Sequence, residues 1–294
     1  MILLFEPIQC FSSDDAGSYF ETLRRSGHAN SAVEQQLLAL STEQLTKQLA
    51  PYYTDTFSVI RQKSYYLTYK RGIRDIPAGR RIAAKQLLQG CDDPDGGLVG
   101  QTLRYLQEFS RDDFDGECKK IINGKIERTQ MPHYRELVLL AGYTGTGKDE
   151  LSALLSDLHV PERYRWYVSL ALARMGDAVQ TANCVNRVRK LPVNNDLMEY
   201  ILPDLIYTRQ REALDYCVGL LLEYTGLCES QNPDVSEKIN CAFLMIPLLA
   251  PAITDFPVVI DASGDIAGDY QKALRDLKKW FSTNREYDIS DVQF

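Results

Sequence analysis

The segment GYTGTGKD, residues 142–149, is the stretch whose spacing comes nearest to a recognised chemistry. It fits the G-x-x-x-x-G-K pattern, in which backbone amides hold phosphate groups and the lysine, here Lys148, meets their charge. The next position is Asp149, where this pattern uses Ser or Thr to hold Mg²⁺. A carboxylate at that position lies beside the place of the phosphate and repels it.

The residues around this segment also argue against a phosphate-binding loop. Such a loop joins a strand to a helix in a parallel sheet, and the flanking sequence offers almost no strands. We therefore favour a helix over residues 135–142, a turn, and a second helix beginning at Lys148 or Asp149. A nucleotide-binding P-loop is kept as an alternative function.

Three aspartate-rich stretches raise the question of calcium binding, namely DDPDGG (92–97), RDDFDGE (111–117) and DASGDIAGD (261–269). An EF-hand loop needs a glutamate at position twelve, counted from its first aspartate. Counting from Asp93 reaches Arg104, so that stretch does not fit, and a count from Asp113 fails in the same way at Gly124. We interpret these aspartates as helix caps and turn residues.

The histidines do not indicate a metal site. They lie at predicted helix ends, and none stands at metal-ligand spacing from another His, Cys or Glu: His28, His133 and His159. The chain also lacks the motifs G-x-S-x-G, H-E-x-x-H and C-x-x-C. The sequence therefore predicts no catalytic residue, no cofactor-binding residue, no cofactor and no metal ligand.

The clearest local charge signal is basic. Between Arg61 and Lys85 there are eight basic residues and one acid, Asp75, with tyrosines interleaved. In an acidic chain this predicts a docking surface for an acidic protein segment or a phosphate-bearing ligand. The competing interpretation is a solvated helix face whose Lys and Arg stems cover apolar surface. The candidate partner-binding residues are Lys63, Tyr66, Lys70, Arg71, Arg74, Arg80 and Arg81.

Charge and composition limit the kinds of partner. The 294-residue chain has a net charge of −7, so its bulk charge does not favour nucleic acid, although tyrosines among basic residues can stack single-stranded bases. With 17 Tyr, 10 Phe and a regular apolar periodicity, the chain is predicted to fold. No apolar run reaches the ~18 residues of a bilayer-spanning helix, and we expect no membrane partner.

The cysteines predict a reducing compartment. The seven are scattered, their number is odd, and most fall in helical patterns where cysteine acts as a small apolar residue. We expect free thiols rather than a disulfide framework. The start, MILLFEPIQCFSS, has no basic region of a secretory signal, and Cys10 does not resemble a lipoprotein cleavage site. The expected location is the cytoplasm.

The elements that position these residues are predicted to be paired helices. Residues 161–192 give two amphipathic helices separated by Gly176-Asp177, because glycine readily takes the left-handed conformation that ends a helix. Two helices shield their apolar stripes only in part, so a neighbouring pair must cover the rest. Successive pairs are predicted to begin about 29 to 40 residues apart, near Asp55, Asp95, Pro132, Pro161 and Asp196.

Two quoted segments carry a family resemblance. RWYVSLALARMGD, followed by a helix ending in NRVRKLP, resembles a HEAT-repeat unit, and VIRQKSYYLTYKRGI resembles the first helix of another. The resemblance covers about residues 50–225 and implies a curved α-solenoid that acts as a binding scaffold. It transfers no catalytic residue, because its matched positions are core positions. Other two-helix repeats stay open as alternatives.

The sequence thus predicts an all-α, right-handed α–α superhelix of about five to six helix pairs. Helices of an N-terminal cap are expected over 1–50, HEAT-like repeats over 51–250 and a capping segment over 251–294, as one continuous domain. Within that cap, FPVVID (256–261) is predicted as a short strand, and the tail NREYDISDVQF is expected to be loose. The predicted function is a non-catalytic scaffold for protein–protein contact; the alternatives are the P-loop protein and a nucleic-acid-binding HEAT-like protein.

Overall fold

The fold is described from a computed structural model, which covers residues 15–230, 237–261, 263–292 and 294. The predicted capping residues 12–14 and Cys10 lie outside these described residues. Almost all regular structure in the described part is helical, so the predicted all-α class is confirmed.

Fifteen α-helices and one two-stranded ribbon are formed by the described residues. The helices are α1 (Asp15–Ser26), α2 (Ser31–Ala39), α3 (Thr42–Leu49), α4 (Ser58–Gly72), α5 (Pro77–Gln89), α6 (Gly96–Leu106), α7 (Gly116–Ile126), α8 (Tyr134–Thr144), α9 (Lys148–Ser156), α10 (Glu162–Arg174), α11 (Ala178–Val188), α12 (Leu202–Tyr207), α13 (Arg211–Glu223), α14 (Ala242–Leu249) and α15 (Tyr270–Thr283). A π-helical segment, Leu197–Ile201, leads into α12, and the ribbon joins β1 (Leu227–Cys228) to β2 (Ile239–Asn240) in antiparallel register.

The helices begin where the sequence provides caps. Asn30 accepts hydrogen bonds from the first amides of α2, and Ser41 forms a capping box with Gln44 at the start of α3. Pro77 occupies the first turn of α5, where its missing N–H costs nothing. Asp177 caps α11 through the Gln180 amide. The predicted division of residues 31–50 at Ser41 is therefore confirmed.

Residue contacts divide the chain into two compact units, one up to Cys118 and one from Lys119 onward. In the first unit α4 packs on α5, and α5 packs on α3 and on α6. Its core is made of side chains with no exposed surface, including Leu37, Leu45, Leu67, Leu87 and Leu103. The single boundary between these units lies after Cys118, and the predicted borders at 50 and 250 stay predictions.

In the second unit α10 is the central helix, packed on α8, α9 and α11. A close crossing brings α8 and α10 together at Gly142. A Cβ at that position would lie 2.4 Å from the Tyr207 hydroxyl and 2.7 Å from the Ala171 Cα, so the approach requires glycine. Beyond α10, contacts continue from α11 to α13, from α13 to α14 and from α14 to α15.

The predicted pair starts agree with the structure to within a few residues. The helices α4, α6, α8 and α10 begin at Ser58, Gly96, Tyr134 and Glu162. The fifth pair begins with the π-helical segment at Leu197 and continues through Pro203, which cannot donate a backbone hydrogen bond. Each of the five predicted starts thus opens two successive helical segments in the described residues.

Three predictions for the C-terminal region are wrong. Residues 256–261 do not form the predicted strand; Ile260 makes a single bridge to Ile266 across a tight turn closed by Asp261. Nor is the tail loose, because Tyr287 is buried and its hydroxyl donates a 2.7 Å hydrogen bond to Asp215. Further along, Ile289 bridges Ile253.

The third error concerns the cysteines. Cys228 and Cys241 form a disulfide, with Cα atoms 4.9 Å apart. Antiparallel pairing of Leu227 with Asn240 and of Cys228 with Ile239 brings the two cysteines within the range that a disulfide spans. The thirteen-residue spacing gives no recognised motif, so only the pairing of the strands reveals the bond.

Candidate binding surfaces

The predicted basic patch of the first unit is largely neutralised by acids from neighbouring helices and turns. Lys63 pairs with Glu34 at 2.8 Å, Arg71 with Asp75 at 3.2 Å, and Arg80 with Asp113 at 2.9 Å. Arg81 donates to the Asp112 carbonyl oxygen at 3.4 Å. The sequence count of one acid among eight bases missed these partners, since three of the four acidic residues lie outside residues 61–85.

The most buried of these pairs is Arg61 with Asp93. Two parallel hydrogen bonds of 2.8 and 2.9 Å join the guanidinium to the carboxylate, whose side chains are 7% and 1% exposed. Burial acts to raise the pKa of Asp93, but the hydrogen bonds from Arg61 and from the Asp95 amide outweigh burial and lower that pKa. Arg61 therefore fixes the turn before α6 to helix α4, and it does not contribute a free charge to the surface.

Two of the seven candidate residues keep free cationic ends. The side chains of Lys70 and Arg74, at the C-terminal end of α4, form no hydrogen bond or ion pair with any other residue that the structure describes. Arg74 is exposed and Lys70 is half-buried. The cationic character of the patch is thus concentrated at this end of α4.

Beside these two cations lies a tyrosine face, which we define as Tyr66, Tyr69 and Tyr105. The rings of Tyr69 and Tyr105 stack with centroids 4.2 Å apart and planes 3° from parallel. Gln101 donates a 2.7 Å hydrogen bond to the Tyr105 hydroxyl, and the Tyr69 hydroxyl donates to Glu108 at 2.5 Å. Lys63 lies 4.5 Å above the Tyr66 ring, which completes a set of half-buried, pre-positioned aromatic side chains.

Burial and hydrogen bonding raise the pKa of Tyr69 to about 12, so its hydroxyl is neutral and donates at physiological pH. Held rings of this kind lose little conformational entropy when a partner covers them, and tyrosine is a frequent energetic centre of protein interfaces. The tyrosine face can therefore act as a contact surface for a protein segment.

The segment GYTGTGKD takes the favoured helix–turn–helix arrangement. Gly142 lies inside α8, the turn passes through Gly145 and Gly147, both with positive φ, and Lys148 begins α9. A P-loop requires a strand before Gly142, whereas the residues before Gly142 form helix α8. Gly147 is needed because a Cβ there would lie 2.1 Å from Ile126.

The described thiols are buried and held protonated. Burial raises the pKa of Cys118, Cys184 and Cys217 to about 12 in each case, which disfavours the nucleophilic thiolate. Within the described ranges, no three His, Cys, Asp or Glu side chains come together as a set that could hold a metal ion. No helix of that part of the chain is long and apolar enough to cross a membrane.

The second unit contains a site that no motif in the sequence indicated. Residues at the end of the chain lie against α8, α10 and α12, with the Phe294 ring centroid 5.5 Å from that of Tyr143 and 5.3 Å from that of Tyr207. Arg174 pairs with Asp291 at 2.7 Å, and the Tyr143 hydroxyl donates to the Val292 carbonyl oxygen at 3.0 Å. We call the residues Tyr143, Arg174, Tyr207 and Arg209 the tail groove.

An open cleft of about 300 Å³ adjoins the tail groove, and Phe294 forms part of its wall. Most of its lining is apolar and comes from α8, α12, α14 and the turn directly after α14: Leu139, Pro203, Ile206, Pro247, Leu248 and Pro251. At its polar side Asp204 accepts hydrogen bonds from Arg135 at 2.6 Å and from the Trp166 indole at 2.9 Å. Both acceptor oxygens of Asp204 are therefore engaged.

The only signal in the sequence for this site was the apolar and acidic character of the last residues, DISDVQF, which carries no motif. Comparison with known proteins provides no further guide to either surface. No protein-family model, no curated protein and no solved structure matches this chain.

Proposed function

We propose that this protein is a non-catalytic binding protein whose partner contacts the tyrosine face of the first unit. The observation that carries the proposal is the stacked, hydrogen-bonded pair Tyr69–Tyr105 next to Tyr66, all half-buried on one surface. Fixed aromatic rings with exposed edges provide contact area at low entropic cost. Catalytic groups are not required for this role.

The charge at the end of α4 supports a partner with an acidic segment. Lys70 directly follows Tyr69 in α4 and Arg74 lies two residues after the end of that helix, and neither side chain has an ion-pair partner among the described residues. Cations at the rim of an interface attract an acidic partner and increase its association rate. The predicted residues Arg71, Arg80 and Arg81 contribute less, because their charged ends already contact Asp75, Asp113 and the Asp112 carbonyl oxygen.

The test uses charge reversal at the free cations. Lys70→Glu combined with Arg74→Glu is compared with Lys278→Glu combined with Lys279→Glu, a matched control on the exposed face of α15. A photo-crosslinking residue at Tyr66 identifies partners that touch the face. Because two rim charges change sign, we expect the yield of crosslinked partner to fall about tenfold or more in the first variant. The control variant should keep its yield. Equal crosslinking in both variants would refute the proposal.

Reversal of Arg80 is a poor test of docking. Asp113 is buried, and besides Arg80 it accepts a hydrogen bond from the Ser110 amide. An Arg80→Glu substitution leaves this carboxylate beside a second acid, which destabilises the first unit whatever the partner does. Lys70 and Arg74 avoid this complication.

We also propose that the helix pairs stack as a right-handed superhelix of the HEAT-like kind. Sequential contacts from α3 through α6, and the contacts of α10 with α8, α9 and α11, support this arrangement. In a stacked repeat each pair depends mainly on its neighbours, so a fragment of several pairs folds alone. A fragment of residues 1–126, which keeps α7 whole, is expected to melt cooperatively by circular dichroism; an unstructured fragment would contradict the proposal.

A further inference from the structure

The tail groove combines two buried arginines with two tyrosine rings, and these contact the extended segment that ends in Phe294. The Arg174 side chain has no exposed surface, and Arg209 is 8% exposed. Arg174 also donates to the Tyr207 carbonyl oxygen at 2.6 Å and lies 5.5 Å and 5.4 Å from the Tyr143 and Tyr207 ring centroids. A buried guanidinium is stable only when anionic or carbonyl acceptors surround it.

Arg209 adds a second positive charge to the same site. Burial, together with the neighbouring charge of Arg174, lowers the pKa of Arg209 to about 10. Its backbone takes a left-handed conformation, with φ of 53°, which is uncommon for a residue other than glycine. One guanidinium nitrogen donates to the Ile206 carbonyl oxygen at 2.9 Å and another to the Phe294 carbonyl oxygen at 3.4 Å.

The contacts that the tail makes are those of any extended peptide with suitable side chains. They include the carboxylate of Asp291, the main-chain oxygens of Val292 and Phe294, and the aromatic ring of Phe294. The Val292 side chain is 70% exposed, so the groove does not select it. Recognition therefore depends on an acidic residue and on an aromatic residue three positions later.

The contacts of Asp291 and Phe294 with the groove can break without disturbing the residues that precede them. Upstream residues are fixed separately: Ser290 donates to the Ala252 carbonyl oxygen at 3.0 Å, and Thr254 donates to the Asp288 carbonyl oxygen at 2.9 Å. The Asp291 side chain is 49% exposed, so solvent and an incoming carboxylate can reach the pair. The adjoining cleft provides room beyond Phe294 for more of a bound segment.

We propose that the tail groove binds an extended segment of a partner protein that carries Asp or Glu three residues before an aromatic residue, and that Asp291 and Phe294 occupy the groove as an intramolecular competitor. A tethered competitor has a high effective concentration, so a partner binds more weakly while the tail is in place. Truncation or displacement of the tail exposes the groove. This inference concerns the second unit and is independent of the tyrosine face.

The experiment compares the full chain with a chain that ends at Ser290. Two fluorescein-labelled, C-terminally amidated peptides serve as probes: the tail sequence DISDVQF, and a peptide of Gly and Ser that keeps only an Asp and a Phe at the same spacing. A third peptide with the Asp and Phe adjacent is the control. Binding is measured by fluorescence anisotropy.

We expect both spaced peptides to bind the truncated chain about tenfold or more tightly than the full chain, and the control peptide to bind neither. Arg174→Gln in the truncated chain is expected to abolish binding of both. If the truncated chain is unfolded by circular dichroism, the full chain with Asp291→Ala and Phe294→Ala replaces it. The proposal would be overturned if the peptides bound the full chain as tightly as the truncated or doubly substituted chain. It would also be overturned if the tail peptide bound and the Gly/Ser peptide with the same Asp and Phe spacing did not.

Discussion

Arg61 in the first unit and Arg174 in the second are both buried arginines paired with an aspartate, but their aspartates differ. Asp93 comes from the turn directly before α6, and its side chain is 1% exposed. Asp291 comes from the end of the chain, and its side chain is half exposed. Arg61 meets Asp93 through two parallel hydrogen bonds, and Arg174 pairs with Asp291 at 2.7 Å. Each guanidinium also donates to a main-chain carbonyl oxygen, that of Asp55 for Arg61 and that of Tyr207 for Arg174.

The difference separates a structural pair from an exchangeable one. A buried carboxylate that accepts from Arg61, Tyr65 and the Asp95 amide cannot leave without breaking the turn. A half-exposed carboxylate on a terminal segment can be replaced by another acid while the guanidinium keeps its carbonyl and aromatic neighbours. The same residue types thus stabilise the fold in one unit and form a binding groove in the other.

The largest effect is expected for Asp93→Ala. This change leaves the Arg61 guanidinium buried beside an apolar side chain, and breaking a buried pair costs about 3–5 kcal/mol. Urea denaturation of the purified chain measures the loss of unfolding free energy. Leu191→Ala, at a partly exposed site, is the control and should change it little. A loss below about 1 kcal/mol for Asp93→Ala would put this pair in the same class as a surface pair.

A smaller effect is expected when the disulfide of the second unit is removed. Cys228→Ser with Cys241→Ser frees a loop of about fourteen residues, and closing such a loop contributes about 3 kcal/mol in the chain-entropy model. Thermal melts with and without reductant test this, because the serine variant should not respond to reductant. The first unit is the contrast, because its cysteines Cys91 and Cys118 are buried free thiols and not a disulfide. If the melting of the serine variant still changed with reductant, the assignment of the disulfide to Cys228 and Cys241 would be contradicted.

A still smaller change in stability is expected for Asp291→Ala. The Arg174 side chain has no exposed surface, but Asp291 is 49% exposed, so water can replace the lost carboxylate while the Tyr207 carbonyl oxygen stays in place. We therefore expect a loss of about 1–2 kcal/mol, between that of an exposed pair and that of a buried one. Side by side with Asp93→Ala, this variant measures the difference between the two arginines directly. A loss as large as that of Asp93→Ala would show that the tail is a structural clamp and would remove the basis for exchange.

The pH dependence is expected to be the most gradual effect. Because the pKa of Asp93 is lowered in the fold, its charged form is favoured there, and the stabilisation is present above the ordinary pKa of about 3.9. It is lost as pH falls through the lower folded pKa. We expect the urea denaturation midpoint, measured from pH 6 to about pH 2.5, to be higher for the native chain than for Asp93→Asn. The difference between the two midpoints should shrink below about pH 4. A difference that stays constant with pH would exclude this carboxylate as the cause.

The helices were predictable because their signals are local. Apolar periodicity, caps such as Ser41 and Asp177, and stops such as Gly176 act within a few residues, so the pair starts agreed with the structure. The strand at 256–261 failed because β-branched residues indicate a strand only if another strand is available to pair with them. The borders of the compact units were not accessible, since contacts between distant residues decide them.

The candidate site was only partly predictable for the same reason. Tyr66 and Lys70 were identified from composition, but the stacking of Tyr69 on Tyr105 joins residues from two helices. The acids that neutralise Lys63 and Arg80 lie about thirty residues away in the chain, at Glu34 and Asp113. A charge count within one stretch cannot find partners that only helix packing brings near.

The sequence alone determined that this chain is built from amphipathic helices, that GYTGTGKD is a turn between two of them, and that bulk charge is acidic. Tertiary structure alone decided which cations stay free, which cysteines pair and where the tail binds. Helix formation depends on side chains three or four residues apart, which a sequence displays directly. Ion pairs, disulfides and grooves depend on groups far apart in the chain, and folding to a defined geometry is what sets their distances.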